Sequence, residues 1–286
     1  MMRKYFMMML GLGLSMAVQA QDEETESAYF TVDEMPDMMV FLPAPPDSTS
    51  VAFAYDVSRY FWGKQMRQDP ERAAEAKRDA VYGLATIIEE FQDAFGMRIS
   101  KSETPEIYKV LLEGTNTCDY ICTLPKQKYM RARPYMRFNE PTLFPQDDDD
   151  LRQNGSYPSG HTLLGWSAAL LMMEINPDRA NEIMKRGYRY GENRLVVGAH
   201  WQSDTDAARL AASVAYAKLH TSERFLEQMR KARAEFQAKS MTTSARPITD
   251  VQKTPAQAPA YTLGGTQATD STRGIVVSQG VKTVRH

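Results

Sequence analysis

Three short stretches concentrate the residues that can do chemistry: KQKYMRARP from Lys126 to Pro134, YPSGH from Tyr157 to His161, and NRLVVGAHWQSD from Asn193 to Asp204. Alone, each has an ordinary structural reading. Lys126 and Arg133 could be an exposed helix face, His161 a satisfied core histidine, Arg194 a surface residue, and His200 with Asp204 a structural pair. Together they supply the parts of phosphoryl transfer: cations around the equatorial oxygens, an in-line nucleophile and an acid for the leaving oxygen. Lys126 and Arg133 are seven residues apart, so both are expected to project from one face of a helix. With Arg194 they make three cations, two of them guanidinium forks suited to tetrahedral oxyanions. Ser159, Gly160 and His161 open an apolar run, where unpaired N–H groups and the helix dipole also favour an anion.

The chain has four histidines. His286 lies near the end and His220 falls late in the last long helix, which leaves His161 and His200 with these clusters. Asp204 is placed to hold His200 in one tautomer. A neutral imidazole so oriented can attack phosphorus to form a phosphohistidine, and a second, protonated one can act as the acid.

These side chains need a scaffold, and the periodicity predicts helices. Asp69 reads as an N-cap and Pro70 as a first helical position; Val81, Leu84, Ile88, Phe91 and Phe95 then follow at steps of three and four up to Gly96, predicting one long amphipathic helix. Further helices are expected from about 104 to 112, from 126 to 133 and after Asn176-Pro177. The segment from His161 to Ile175 is apolar on nearly every face, so it belongs at the centre of the core. Another long helix is expected from Asp204 to about Ala238, with Leu210, Val214, Ala217 and Phe225 facing inward. Only Leu195-Val196-Val197 looks β-like. The expected architecture is a single all-α domain over 41–238, a helical bundle.

The ends differ in character. MMRKYF, an apolar run of about a dozen residues and Val18-Gln19-Ala20 read as a cleavable signal peptide over 1–20, too short to span a membrane. An acidic arm follows at 21–40. Residues 239–286 are rich in Thr, Ser, Gln, Ala, Pro and Gly and are expected to be a disordered tail. The Asp147–Asp150 run is expected to be solvated. Losing Arg3 and Lys4 with the leader takes the formal charge from −2 to −4, which argues against nucleic acid as a partner. No later segment is apolar for long enough to cross a membrane, and the leader predicts a periplasmic or secreted protein. Cys118 and Cys122 could bridge locally or stay as buried thiols; two such ligands close no zinc site.

The order Lys-x6-Arg-Pro, Pro-Ser-Gly-His and Arg-x5-His-x3-Asp resembles the signature of the type 2 phosphatidic acid phosphatase superfamily, and within it the bacterial class A nonspecific acid phosphatases. FLPAPPDST at 41–49, AFG and TPE around 94–106, EINP at 174–177 and GAHWQSDTDAAR at 198–209 extend the likeness over about residues 40–220. The resemblance implies a bundle of the acid phosphatase and vanadium haloperoxidase type acting on small phosphomonoesters without a cofactor or metal, and a homodimer. It implies His200 as nucleophile, Asp204 as its orienting partner and His161 as general acid, with Lys126, Arg133, Ser159, Gly160 and Arg194 binding phosphate. One position departs: the family's third motif usually begins Ser-Arg, and this chain has Asn193-Arg194, which makes Asn193 a candidate modulator of rate or specificity. The alternatives are a vanadate-dependent haloperoxidase, which shares this anion site, and a non-catalytic phosphate binder. A serine hydrolase on Ser159 lacks the Gly-x-Ser-x-Gly elbow.

Overall fold

The computed structural model describes residues 28–244, 261–262, 274–278 and 281–285. The expected leader and the start of the arm lie outside the described residues. The helices, in chain order, are α1 (Met38–Phe41), α2 (Val51–Met66), α3 (Pro70–Arg78), α4 (Leu84–Phe95), α5 (Pro105–Asp119), α6 (Thr123–Tyr129), α7 (Pro134–Phe138), α8 (Asp148–Arg152), α9 (Gly160–Ile175), α10 (Ala180–Val197), α11 (Gln202–Leu219) and α12 (Glu223–Ser244). Residues up to Ser240 and those from Met241 form two compact units. In the first, the described secondary structure is entirely helical, as the all-α expectation requires. No helix among the described residues is long and apolar enough to cross a membrane.

The helix starts follow local chemistry. The Ser50 hydroxyl accepts from Phe53 N at 3.1 Å to begin α2, and Asp69 Oδ1 accepts from Glu71 N at 2.9 Å ahead of Pro70 to begin α3. At α5 a distant side chain takes this part: Glu235 accepts from Ile107 N at 2.9 Å, tying α12 to the start of α5.

The axis of the fold is α9, which packs against α5, α10 and α11. It is buried on all sides through Leu163, Leu164, Ala168, Leu171, Met172 and Ile175. Each large aliphatic side chain so buried contributes roughly 1.5–3 kcal/mol. Gly165 permits the close approach of α10, since a Cβ there would lie 2.3 Å from the Tyr190 ring. A second cluster, Phe53, Tyr60 and Trp201 with Phe138 against it, packs beside the residues of the third motif.

Several expectations are corrected. The long helix from Pro70 to Phe95 is two, because Gly83 at φ 133 breaks it after α3. The helix over 126–133 ends at Tyr129, and Met130 adopts φ 38. Arg133 is extended before Pro134, as the steric restriction on the residue preceding proline requires. Lys126 and Arg133 therefore do not share a helix face. The β-like Leu195-Val196-Val197 completes α10, where all three are buried. The helix from Asp204 to Ala238 is interrupted between Leu219 and Glu223. Its inward face is Ala207, Ala208, Ala211, Ala212, Ala215 and Leu219 together with Phe225, while Leu210 is exposed. The small alanine face lets α11 lie close to α9. The acidic run is not uniformly solvated either: Asp148 turns inward and accepts from Thr142 N at 3.1 Å and Thr142 Oγ1 at 2.6 Å.

The expected disordered tail is corrected in part. Strands β1 (Tyr261–Thr262), β2 (Gly274–Ser278) and β3 (Val281–Arg285) pair antiparallel in that order, with Ser278 opposite Val281. The β-branched Ile275-Val276-Val277, and Val281, Thr283 and Val284, have the composition of strands despite the polar setting.

Candidate active site

The third motif is shaped by the end of α10. Gly198 at φ 81 reverses the chain, with Ala199 N donating to Arg194 O at 3.1 Å, and this turn delivers His200 between α10 and α11. Asp204, in the first turn of α11, accepts from Trp201 N at 2.8 Å, so one carboxylate both caps the helix and faces the imidazole. His200 Nδ1 lies 2.9 Å from Ser156 O and 3.4 Å from Asp204 Oδ2. A carbonyl can only accept, so Nδ1 carries the hydrogen and Nε2 keeps its lone pair. Arg133 Nη1 donates to that Nε2 at 2.9 Å.

Asp204 is held from several directions. Ser156 Oγ donates a short hydrogen bond to Oδ2, and Arg131 Nη1 donates to Oδ1. The other arm of Arg131 reaches Asp56 Oδ2 on α2 at 2.7 Å, and Asp56 also accepts from Ser203 N and Oγ. Burial pushes the Asp204 carboxyl up, and the donors from Arg131, Ser156 and Trp201 pull it back.

A cavity of about 950 Å³ opens here, lined by Lys126, Arg133, Gly160, His161 and His200, with Asp119 and Tyr82 also on its wall and Asp147 and Asp150 among its other acids. Lys126 Nζ donates to Gly155 O at 3.0 Å, and a Cβ on Gly155 would come within 2.5 Å of Lys126 O, so only glycine lets these two segments meet. Arg133 Nε donates to Leu151 O at 2.9 Å, which anchors the guanidinium at its Nε edge. Burial lowers Lys126 from the usual 10.5 to about 8, and lowers Arg133 and Arg194 to about 10.

Ser159 lies buried at the head of α9; its hydroxyl accepts from Thr162 N at 3.3 Å and its own N–H donates to Asp204 O. Arg194 is 1% exposed, and its Nε and Nη1 meet no acceptor among the described residues. Its charge disfavours the protonated form of His161 on the cavity wall. A buried guanidinium without an acceptor is costly unless an anion completes it.

His161 Nε2 lies 2.9 Å from Ala80 O. Nε2 is therefore the donor, and Nδ1 is left to exchange a proton. Burial, then Arg194, His200 and Arg133, drive the His161 imidazole well below its usual range, and the Ala80 bond opposes them. Burial and the same cations with Lys126 do likewise to His200. Cys118 and Cys122 are free thiols, both buried, with burial pushing Cys118 up to about 12.

The structure thus gathers Lys126, Arg133, Gly160, His161 and His200 on one cavity, with Ser159, Arg194 and Asp204 buried around it. Asn193 is not among them: its side chain faces Glu75 of α3 and Asp79 at the end of that helix. Sequence reasoning missed Arg131, Asp56 and Ser156. The Arg-x-Arg-Pro spacing was a usable signal for Arg131, because alternate residues of an extended segment share a side. Nothing local marked Asp56, which lies 75 residues from Arg131.

A helical core around paired imidazoles and buried cations has the chemistry of a tetrahedral-oxyanion site. Residues 109–223 match the model of the PAP2 superfamily. The chain is 42% identical over 201 residues to a non-specific acid phosphatase of Providencia stuartii, covering 70% of this chain and 81% of that one. It is 37% identical over 218 residues to a non-specific acid phosphatase of Salmonella typhimurium, covering 76% and 87%. An acid phosphatase of Zymomonas mobilis is 34% identical over 238 residues, covering 83% and 89%. The chain belongs to the PAP2 superfamily, among its bacterial acid phosphatase members.

Proposed function

We propose that this protein is an exported, metal-independent acid phosphatase that hydrolyses small phosphate monoesters through a phosphohistidine on His200. The observation that carries the reading is one cavity lined by Lys126, Arg133 and both imidazoles, together with the buried Arg194 fork, two of whose donors lack an acceptor among the described residues. Three cations of this kind meet the charge of a phosphoryl group without a metal.

In the first step, Arg133 turns its Nη1 donor from His200 Nε2 to a phosphoryl oxygen. Nε2 attacks phosphorus in line, the P–O ester bond breaks, and His161 Nδ1 gives its proton to the departing alkoxide. The positive charge on His200 is carried by the Nδ1–H donor pair to Ser156 O and Asp204. In the second step, His161 Nδ1 takes a proton from water as the water oxygen attacks phosphorus. The P–N bond breaks, its electron pair returns to Nε2, and inorganic phosphate leaves. Lys126, Arg133, Arg194 and the Gly160 and His161 N–H groups at the head of α9 hold the equatorial oxygens, with Ser159 ordering that turn.

Both imidazoles are driven toward the neutral form. That suits His200 as the nucleophile. His161 gains its proton as the substrate's negative charge arrives beside it, so turnover falls as pH rises and that proton is lost. The test is p-nitrophenyl phosphate hydrolysis against pH with excess chelator. The expected result is chelator-resistant turnover strongest at acid to near-neutral pH, with no phosphoenzyme in His200→Ala. Alkyl phosphates should lose more than aryl ones in His161→Asn. Chelator-sensitive turnover, or phosphoenzyme in His200→Ala, would overturn the reading.

A further inference from the structure

Asn193 sits beside Arg194 on α10 yet turns away from the cavity. It is fully buried, and its Nδ2 donates to Asp79 Oδ2 at 2.6 Å and Glu75 Oε1 at 3.2 Å. Two carboxylates around one amide end identify that end as the nitrogen. Arg186, two turns earlier on the same helix, grips Asp79 with both Nη groups, at 3.0 and 2.5 Å. Asp79 closes α3, and the carbonyl of the next residue, Ala80, accepts from His161 Nε2. Tyr82, two residues further, sets its ring edge-on to the imidazole with centroids 4.8 Å apart. Between α3 and α4 the backbone bonds are turn bonds, Ala80 N to Lys77 O and Val81 N to Arg78 O, both 3.2 Å. The position of the Ala80 carbonyl therefore depends on the side chains that anchor Asp79.

We infer that Asn193 and Asp79 are positioning residues for the acid step: together they hold the Ala80 carbonyl that keeps His161 Nε2–H outward and Nδ1 toward the leaving oxygen. The inference rests on the acid role proposed for His161. Adjacent residues of α10 then divide the work, Arg194 beside the phosphoryl group and Asn193 behind the acid. The departure from the family's Ser-Arg gains a physical reading, since the longer Asn side chain spans to two carboxylates at once.

The groups facing His161 set the expected pH behaviour. Arg194 from α10, Arg133 ahead of α7 and His200 ahead of α11 disfavour its charge, the Tyr82 and Tyr190 rings flank it, and the Ala80 bond favours its charge. Loosening that bond lowers the hold of His161 on its proton, so a rate that depends on the acid begins to fall at lower pH.

The experiment compares kcat/KM for an alkyl phosphate and for p-nitrophenyl phosphate, across pH, in the full-length protein and its Asn193→Ala and Asn193→Ser variants. Asn193→Ala should lower the alkyl phosphate value about tenfold, a fraction of what general acid catalysis typically supplies. It should leave p-nitrophenyl phosphate within about twofold and move the alkaline fall of the alkyl rate to lower pH. Asn193→Ser, which keeps a donor, should restore most of the ratio. The ratio of the two substrates is independent of the fraction folded, so partial misfolding does not mask the result. An unchanged ratio in Asn193→Ala, with or without a lower Tm, would overturn the inference while leaving the phosphatase reading intact. Absence of turnover in the unsubstituted protein would overturn both.

Discussion

Arg133 meets His200 and, in the proposed reaction, the substrate with the same Nη1 atom, so the nucleophile is covered by the group that later binds the phosphoryl oxygens. Around it, burial leaves Lys126 a weakened base at about 8. A buried cation lowered from 10.5 loses its charge as pH rises through about 8, and with it the attraction for an anion. Inorganic phosphate is accordingly expected to bind as a competitive inhibitor whose Ki rises above about pH 8, by up to tenfold per pH unit. Lys126→Met should flatten that dependence while raising Ki at neutral pH. A Ki that is level between pH 7 and 9 in the unsubstituted protein would contradict the role given to Lys126.

Among the elements, the short extended stretch between α6 and α7 has the largest reach. Arg131 joins Asp204 of α11 to Asp56 of α2, and both carboxylates are fully buried. Removing the guanidinium would leave two like charges facing each other out of water, a mechanism that costs roughly 3–5 kcal/mol when one partner of a buried pair is lost. Arg131→Met is therefore expected to lower stability by about that amount in urea denaturation. Removing both ends, as in Arg131→Met with Asp56→Leu, should recover part of the loss. If Arg131→Met melts with the unsubstituted protein, the bridge is not a stability element.

At the scale of the whole molecule, the cavity and its supports lie between Asp56 and Asp204, inside the unit that ends at Ser240. A chain ending at Ser244 is expected to keep kcat/KM for p-nitrophenyl phosphate within about twofold and to unfold in a single cooperative transition. A larger loss would show that the C-terminal segment serves catalysis or folding.

The sequence by itself determined what repeats locally: the apolar all-round run that becomes α9, the cap at Asp69, and the three motifs that bring Lys126, Arg133, His161, Arg194 and His200 to one family pattern. Those are statements about spacing and side-chain type, which need no knowledge of distant neighbours. Only the tertiary structure decided that Gly83 divides the helix expected over 70–95, because that break is what carries the Ala80 carbonyl to His161. The same holds for Arg133, whose partner His200 lies 67 residues away, and for Asp56, which meets Arg131 and Ser203 across the fold. Asn193 was visible as a departure from a motif, but its direction was not, since a helix position reveals which face a side chain takes only once the neighbouring helices are in place. Buried charge is satisfied by whatever element packs against it, and that depends on the fold as a whole.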